Sequence, residues 1–125
     1  MADIVFRVEH PATSIGPYTH TWVTDNKTEA MCRAHMGSKG YRRPWDIRTP
    51  KDENLFQIND SSDFVCGFHK LSLLLEWFPR VTRRLMDREG FLLYKFESEE
   101  VHKANQQCIF RRSSARELKT YRLVR

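Results

Sequence analysis

The sequence lacks the long apolar stretches and paired cysteines that mark membrane and secreted proteins. No run of about 18 apolar residues occurs, so no membrane span is predicted. The N-terminus has no basic region followed by an apolar stretch, so no secretory signal is predicted either. The three cysteines, Cys32, Cys66 and Cys108, are odd in number and form no C-x-x-C pair, so we expect buried free thiols. These absences predict a cytoplasmic protein.

Motifs for catalysis, cofactors and metals are also missing. There is no G-x-S-x-G elbow, no P-loop and no G-x-G-x-x-G turn. The five histidines show neither H-x-x-x-H nor H-E-x-x-H spacing, with which a helix presents two metal ligands on one face. We therefore expect no metal and no cofactor, and the sequence favours a protein without enzymatic activity.

What the sequence does contain is positive charge concentrated at one end. Lys and Arg number 21 against 16 Asp and Glu, which gives a formal net charge of +5. Residues 111–125 hold six basic residues against the single acid Glu117, which equals the whole surplus. Such a segment is typical of a surface that meets nucleic acid, a nucleotide or an acidic protein, although a solvated face without a ligand is the alternative. The candidate basic patch is Arg111, Arg112, Arg116, Lys119 and Arg122.

Apolar periodicity predicts helices and strands in one domain, residues 1–125. Residues 3–9 alternate with period two and predict a strand with Phe6 toward the core. From Phe68 to Glu89, apolar residues recur at intervals of three and four and predict a core helix that ends at Gly90. Pro79 within it predicts either a kink or two helices that meet at Phe78. The other predicted elements are strands at 18–23, 91–96, 107–110 and 117–124 and a short helix at 27–36.

The C-terminal segment has two interpretations. Alternating residues in 117–124 predict a strand that forms a hairpin with 107–110 through a turn at 112–116. The spacing of Ser114 and Glu117 fits a capping box, which would instead begin a helix.

A long irregular loop, residues 38–62, carries the first candidate for a partner site. Within it, three arginines are interleaved with two aromatic side chains. Arg binds phosphates and carboxylates bidentately, aromatic rings stack on bases, and Trp, Tyr and Arg dominate protein–protein interfaces. The loop therefore predicts a protein contact or a nucleotide contact, and aromatics packed beneath solvated arginines are the alternative. The candidate contacts are Tyr41, Arg42, Arg43, Trp45 and Arg48.

Three short segments are similar to ADP-ribosyltransferases. They are Arg7 on the first strand, Thr19-His20-Thr21 on the second, and Glu97-Ser98-Glu99 after the strand at 91–96. The resemblance implies that Arg7 would hold NAD and that Glu99 would be the catalytic acid. The serine-threonine-serine strand of many such enzymes is not visible in this sequence.

A broader resemblance covers most of the chain. Its residues are Arg7-Val8-Glu9, Gly16-Pro17-Tyr18, Gly67-Phe68, Trp77-Phe78, Gly90-Phe91 and Gln107 to Phe110. In this pattern the sequence resembles small accessory proteins encoded by bacteriophages, most of which have no assigned activity. The resemblance implies inhibition or redirection of a host protein, antiviral nucleases included, in the cytoplasm of a bacterial host cell. The lack of an acidic surplus argues against an inhibitor that mimics DNA.

Together these observations predict an α+β domain in which an antiparallel sheet of four to five strands packs against one long kinked helix and one short helix. The predicted function is that of an accessory protein that binds a host protein or protein complex in antiviral defence or nucleic-acid processing. A nucleotide-binding or ADP-ribosyltransferase-like protein and a basic nucleic-acid-binding module stay open as alternatives. An exposed terminal strand would also allow a homodimer.

Overall fold

A computed structural model describes residues 2–12 and 63–124 of the chain. The strands are β1 (Asp3–Glu9), β2 (Phe64–Gly67), β3 (Leu92–Ser98), β4 (Val101–Lys103), β5 (Cys108–Arg111) and β6 (Arg116–Arg122). The helices are α1 (Leu71–Trp77) and α2 (Arg80–Arg88). The elements predicted at 18–23, 27–36 and 38–62 lie outside the described residues. No helix in the two described ranges is long and apolar enough to span a membrane.

Strands β1, β3 and β6 form the first sheet, which is antiparallel with β3 in the centre. Side chains of directly paired residues share one face of such a sheet. The register therefore places rows of three side chains on a common face. Two of these rows, one of Val8, Leu93 and Tyr121 and one of Phe6, Lys95 and Lys119, lie on the face of the sheet that is described below as the candidate site.

Strands β2, β5 and β4 form the second antiparallel sheet, with β5 in the centre. The two sheets are joined where Phe6 and Phe68 exchange backbone hydrogen bonds of 2.7 and 2.8 Å. Gly67 precedes this joint, and a Cβ atom there would lie 2.8 Å from Val5 Cγ1 and 2.9 Å from Phe110 Cε1. Glycine therefore allows the close approach of the two sheets.

Hydrophobic clusters lie on both faces of the first sheet. The cluster on the helix side comprises Val8, Phe68, Leu74, Trp77, Phe78, Met86, Phe91, Leu93 and Leu123. The cluster on the opposite face comprises Val5, Tyr94, Phe96, Cys108 and Phe110. The layers therefore follow the order helix pair, first sheet, second sheet. The predicted orientation of Phe6 toward a core is confirmed, and because β1 is covered on both faces, Val5 on the opposite face is fully buried as well.

Two short helices replace the long kinked helix. Phe78 has extended backbone angles, φ −110° and ψ 94°, as sterics before a proline require. Pro79 has no N–H to donate and occupies the N-cap of α2. Gly90 follows α2 with φ +90°, which confirms the predicted glycine stop. Of the two predicted alternatives at Pro79, the separated helices are confirmed.

The α+β class is confirmed, but the single sheet of four to five strands is not, since the described residues form two three-stranded sheets. The strand at 3–9 is confirmed, and the C-terminal segment is a strand rather than a helix. The predicted hairpin is wrong, because β5 lies in the second sheet and β6 pairs with β3 in the first. The turn at 112–114 carries the chain from one sheet to the other. In it, Arg112 donates its N–H to the carbonyl of Asp63 at 2.9 Å, which holds the turn beside β2.

Candidate functional site

A groove of about 600 Å³ lies between the helix pair and the helix-facing side of the first sheet. The sheet and the residues after β6 provide its floor, and α1 with the start of α2 provides a wall. The apolar lining residues are Phe6, Leu71, Leu75, Leu93, Leu123 and Val124, together with the ring of Tyr121. The apolar part of the groove thus combines five aliphatic side chains with two aromatic rings.

Several of these apolar side chains are accessible rather than packed. Leu71 and Leu75 are four residues apart on α1 and are 40% and 38% exposed, whereas Leu74 between them is fully buried. Tyr121 on the opposite side of the groove is 36% exposed. Apolar side chains that line a concavity together are typical of a binding surface.

Cationic side chains also line the groove, and they are Arg80, Arg83, Lys95 and Arg122. Arg122 is neutralised by Asp87, with an Nη2–Oδ2 distance of 2.6 Å. Arg83 donates through Nε to the carbonyl of Phe78 at 3.0 Å, which fixes its position without neutralising its charge. No described residue that lines the groove is acidic, so Arg80, Arg83 and Lys95 give it a positive potential.

One pair of lysines is placed unfavourably beside this groove. Lys95 on β3 stands directly opposite Lys119 on β6, and like charges in directly opposed positions destabilise a sheet. The Lys119 ammonium lies 5.1 Å from the ring centre of Tyr121. Within residues 2–12 and 63–124, neither lysine has a carboxylate at ion-pair distance. An anionic ligand would remove this repulsion.

The basic patch predicted from the tail is largely occupied by internal ion pairs. The pairs are Arg111 with Glu100 (2.8 Å) and Asp63 (3.4 Å), Arg112 with Glu9 (2.9 Å), Arg116 with Glu97 (2.9 Å), and Arg122 with Asp87 (2.6 Å). The hydrogen bond from Arg111 lowers the pKa of Glu100, and the Ser113 hydroxyl lowers that of Asp63. Of the five predicted residues, Lys119 is the one without an acidic partner in the described part of the chain.

Arg7 and Glu99, the pair taken from the ADP-ribosyltransferase resemblance, do not share a site. Arg7 donates through Nε to Glu9 at 2.7 Å and through Nη1 to the carbonyl of Cys66 at 2.6 Å. Arg7 is paired with Tyr94, and Glu99 follows five residues later in an exposed turn. At about 3.3 Å per residue, this separates the two by roughly 16 Å along the strand.

The two thiols in the described residues offer no nucleophile. Burial raises the pKa of Cys108 to about 12, and burial also raises the pKa of Cys66. Because the thiolate is the reactive form, both side chains act as small apolar groups in the core. Cys32 lies outside the described residues.

Sequence reasoning placed the partner site elsewhere and did not identify the groove. The five predicted contacts at Tyr41, Arg42, Arg43, Trp45 and Arg48 lie outside the described residues. Leu71 and Leu75 fit the intervals of three and four that predict a core helix from Phe68 to Glu89, so the sequence pattern does not mark them as accessible. Lys95 is a charged residue inside the apolar run Phe91–Phe96, and this was the signal that could have marked the sheet face as partly open.

Comparison with known proteins identifies one family. The family model described as "Bacteriophage T4 Y00F protein" matches residues 1–124. No curated protein and no solved structure matches the chain. The match agrees with the resemblance to small phage-encoded proteins of unassigned activity and lends no support to the resemblance to ADP-ribosyltransferases.

Proposed function

This chain belongs to the Bacteriophage T4 Y00F protein family, and we propose that it is a non-enzymatic accessory protein that binds a host protein through the groove. The bound element is an acidic segment that also carries apolar side chains. Occupation of that segment inhibits or redirects the host complex to which it belongs.

The uncompensated positive charge beside the apolar side chains of the groove carries this proposal. Lys95 and Lys119 oppose each other across the sheet, and Arg80 and Arg83 add two more positive charges nearby. Carboxylates on a partner would neutralise these groups in a partly desolvated place, where charge-assisted hydrogen bonds are strongest. The half-exposed Leu71 and Leu75 supply the apolar contact that the centre of an interface needs.

A protein partner accounts for the lining better than nucleic acid does. Nucleic-acid surfaces combine a continuous basic stripe with aromatic rings for stacking. Here Arg111, Arg112 and Arg116 are bound to carboxylates of the fold, and the groove has five aliphatic side chains against two aromatic rings, so the basic stripe is interrupted and aliphatic contacts outnumber stacking surfaces. Both features favour a peptide segment with acidic and apolar side chains.

The test is capture of a partner from a lysate of the bacterial host, treated with nuclease, by the tagged protein and by matched variants. Lys95→Glu and Leu75→Ser alter the groove. Arg84→Glu and Val81→Ser make the same chemical changes on α2 at exposed positions that do not line it. We expect the two groove variants to lose about tenfold or more of the captured partner, because charge reversal and loss of an apolar contact each cost on the order of 1.4 kcal/mol.

The control variants should capture the partner as the natural protein does. If all four variants lost captured partner equally, or if none lost any, the groove would not be the binding site. Recovery of a nucleotide without a protein partner would instead favour the nucleotide-binding alternative.

A further inference from the structure

We propose that the host segment binds as an extended strand that pairs with the free edge of β6, with an acidic side chain opposite Lys119 and an apolar one opposite Tyr121. This inference rests on the proposed function and specifies the form of the partner. It concerns an edge that lies beside the groove, since Tyr121 belongs to both.

Within residues 2–12 and 63–124, no strand covers the outer edge of β6. In the first sheet β6 is the outer strand, and none of the described strands pairs with its other side. All seven of its residues are exposed, including the apolar side chains of Leu118 and Tyr121 at 39% and 36%. Such an edge presents unpaired N–H and C=O groups to which an extended peptide can add.

The cross-strand rows determine what an added strand would place there. The row of Val8 and Leu93 ends at Tyr121, and the row of Phe6 and Lys95 ends at Lys119. A strand added beside β6 would place one residue next to Tyr121 and one next to Lys119. These two residues of the added strand would be two positions apart. An apolar residue beside Tyr121 would extend the floor of the groove. An acid beside Lys119 would lie directly opposite that lysine and about 10 Å from Lys95 on the same face.

The bulge in β6 limits the length of this pairing. Lys95 pairs with Lys119 and Phe96 pairs with Glu117, so Leu118 is the extra residue. A bulge twists an edge strand and interrupts regular pairing. Regular pairing is possible along the remaining stretch, from Lys119 to Arg122. This stretch is long enough for an acid opposite Lys119 and an apolar residue opposite Tyr121.

The charges of β6 select an acidic strand rather than a second copy of this chain. Arg116 and Arg122 are paired with Glu97 and Asp87, so Lys119 is the cation of this strand that has no carboxylate at ion-pair distance among the described residues. In an antiparallel pair of two copies centred on Lys119, that lysine would face its equivalent in the other copy. Like charges in direct opposition disfavour that arrangement, whereas an acidic strand is attracted.

The experiment is selection from a library of random linear peptides displayed on a surface, with the whole protein as bait. We expect enrichment of sequences in which an acid and an aromatic or aliphatic residue are separated by one position. The selected peptide, made synthetically, should bind the Lys119→Glu variant about tenfold more weakly. Replacing the acid of the peptide by Lys should restore its binding to that variant. The peptide should also slow amide hydrogen exchange in residues 119–122.

Several outcomes would overturn the strand inference. They are enriched peptides with helical spacing, no enriched peptide, or unchanged exchange in β6 on binding. A homodimer in sedimentation that Lys119→Glu dissociates would also overturn it, since a second copy would then hold the edge. If capture from the lysate still depends on Lys95 and Leu75 in any of these cases, the proposed function stands without the strand. If capture does not depend on them, the proposed function fails by itself.

Discussion

Arg112 donates two hydrogen bonds to Glu9, a residue 103 positions earlier in the chain. Its Nε lies 2.9 Å from one carboxylate oxygen and its Nη2 lies 3.1 Å from the other. The Glu9 side chain is 1% exposed and also accepts a hydrogen bond from Arg7. The guanidinium of Arg112 covers the ring of Phe96 at 4.4 Å. A basic residue of the tail is thus bound to a buried carboxylate rather than presented on a free surface.

Removing Arg112 should therefore destabilise the fold. Loss of one partner of a buried ion pair costs about 3–5 kcal/mol, and since Arg112 is 28% exposed we expect about 2–4 kcal/mol for Arg112→Met. Urea denaturation measures this loss as a lower free energy of unfolding. Arg116→Gln is the matched control, because its pair with Glu97 is 71% exposed on the arginine side and should contribute less than about 1 kcal/mol. Equal losses in the two variants would contradict a structural role for the Arg112–Glu9 pair.

Gly67→Ala tests the joint between the sheets. The added methyl group would lie 2.8 Å from Val5 Cγ1, 2.9 Å from Phe110 Cε1 and 3.0 Å from the Phe6 carbonyl oxygen. Overpacking of this kind costs about 1–3 kcal/mol, and we expect a loss of unfolding free energy in that range. Val5→Ala removes the nearest contacting atom. The double variant Gly67→Ala, Val5→Ala should therefore lose less unfolding free energy than the sum of the losses in the two single variants. Additive losses would mean that the two side chains do not compete for the same space.

His69 should make the fold less stable in mild acid. Burial, with Lys103 and Lys70 nearby, lowers its pKa below the ordinary value of 6.5, although Asp3 partly opposes this. Its Nδ1 has no hydrogen-bond partner among the described residues. The folded protein then keeps the imidazole neutral at a pH at which the unfolded chain binds a proton. The contribution of His69 is complete above pH 6.5 and is lost as the pH falls below 6.5 toward the lowered pKa.

The measurement is the free energy of unfolding between pH 7 and about pH 5, above the range in which carboxylates titrate. We expect stability to fall toward pH 5 and the fall to be smaller in His69→Asn. A variant with an unchanged pH dependence would show that His69 titrates alike in the folded and unfolded chains.

Lys95→Glu should raise the stability of the free protein and at the same time weaken its binding to an acidic partner. The substitution replaces a repulsive pair with an attractive one opposite Lys119, so the free protein should gain on the order of 0.5 kcal/mol. The same change should weaken capture of an acidic partner. Thermal unfolding and quantitative capture on one preparation give both values. A variant that loses stability, or that captures the partner as well as before, would contradict the role assigned to this lysine.

Local patterns in the sequence predicted the elements with strong periodicity. The alternation in residues 3–9 and 117–124 and the proline at 79 each correspond to a feature of the structure. The short strands β2 and β4 were not predicted, since a run of three or four residues is too short to show a period. The division into two sheets depends on long-range contacts, such as that between Arg112 and Asp63, which no local pattern contains.

The site was less predictable than the fold for a physical reason. A cluster of charged residues along a strand indicates a binding surface only if those residues do not form ion pairs with residues distant in the sequence. Arg111 and Arg116 bind Glu100 and Glu97, and the sequence does not show these pairings. Conversely, Lys95 and Lys119 are 24 positions apart in the sequence and become neighbours only through the register of β3 and β6.

The most direct test of the groove is site-specific photo-crosslinking in bacterial host cells. A photoreactive phenylalanine analogue replaces either Leu71, which lines the groove, or Val81, which is 60% exposed and does not. We expect a discrete covalent adduct with one host protein from position 71, none from position 81, and loss of the adduct when Lys95→Glu is added. An adduct of equal yield from both positions, or one that persists with Lys95→Glu, would contradict it.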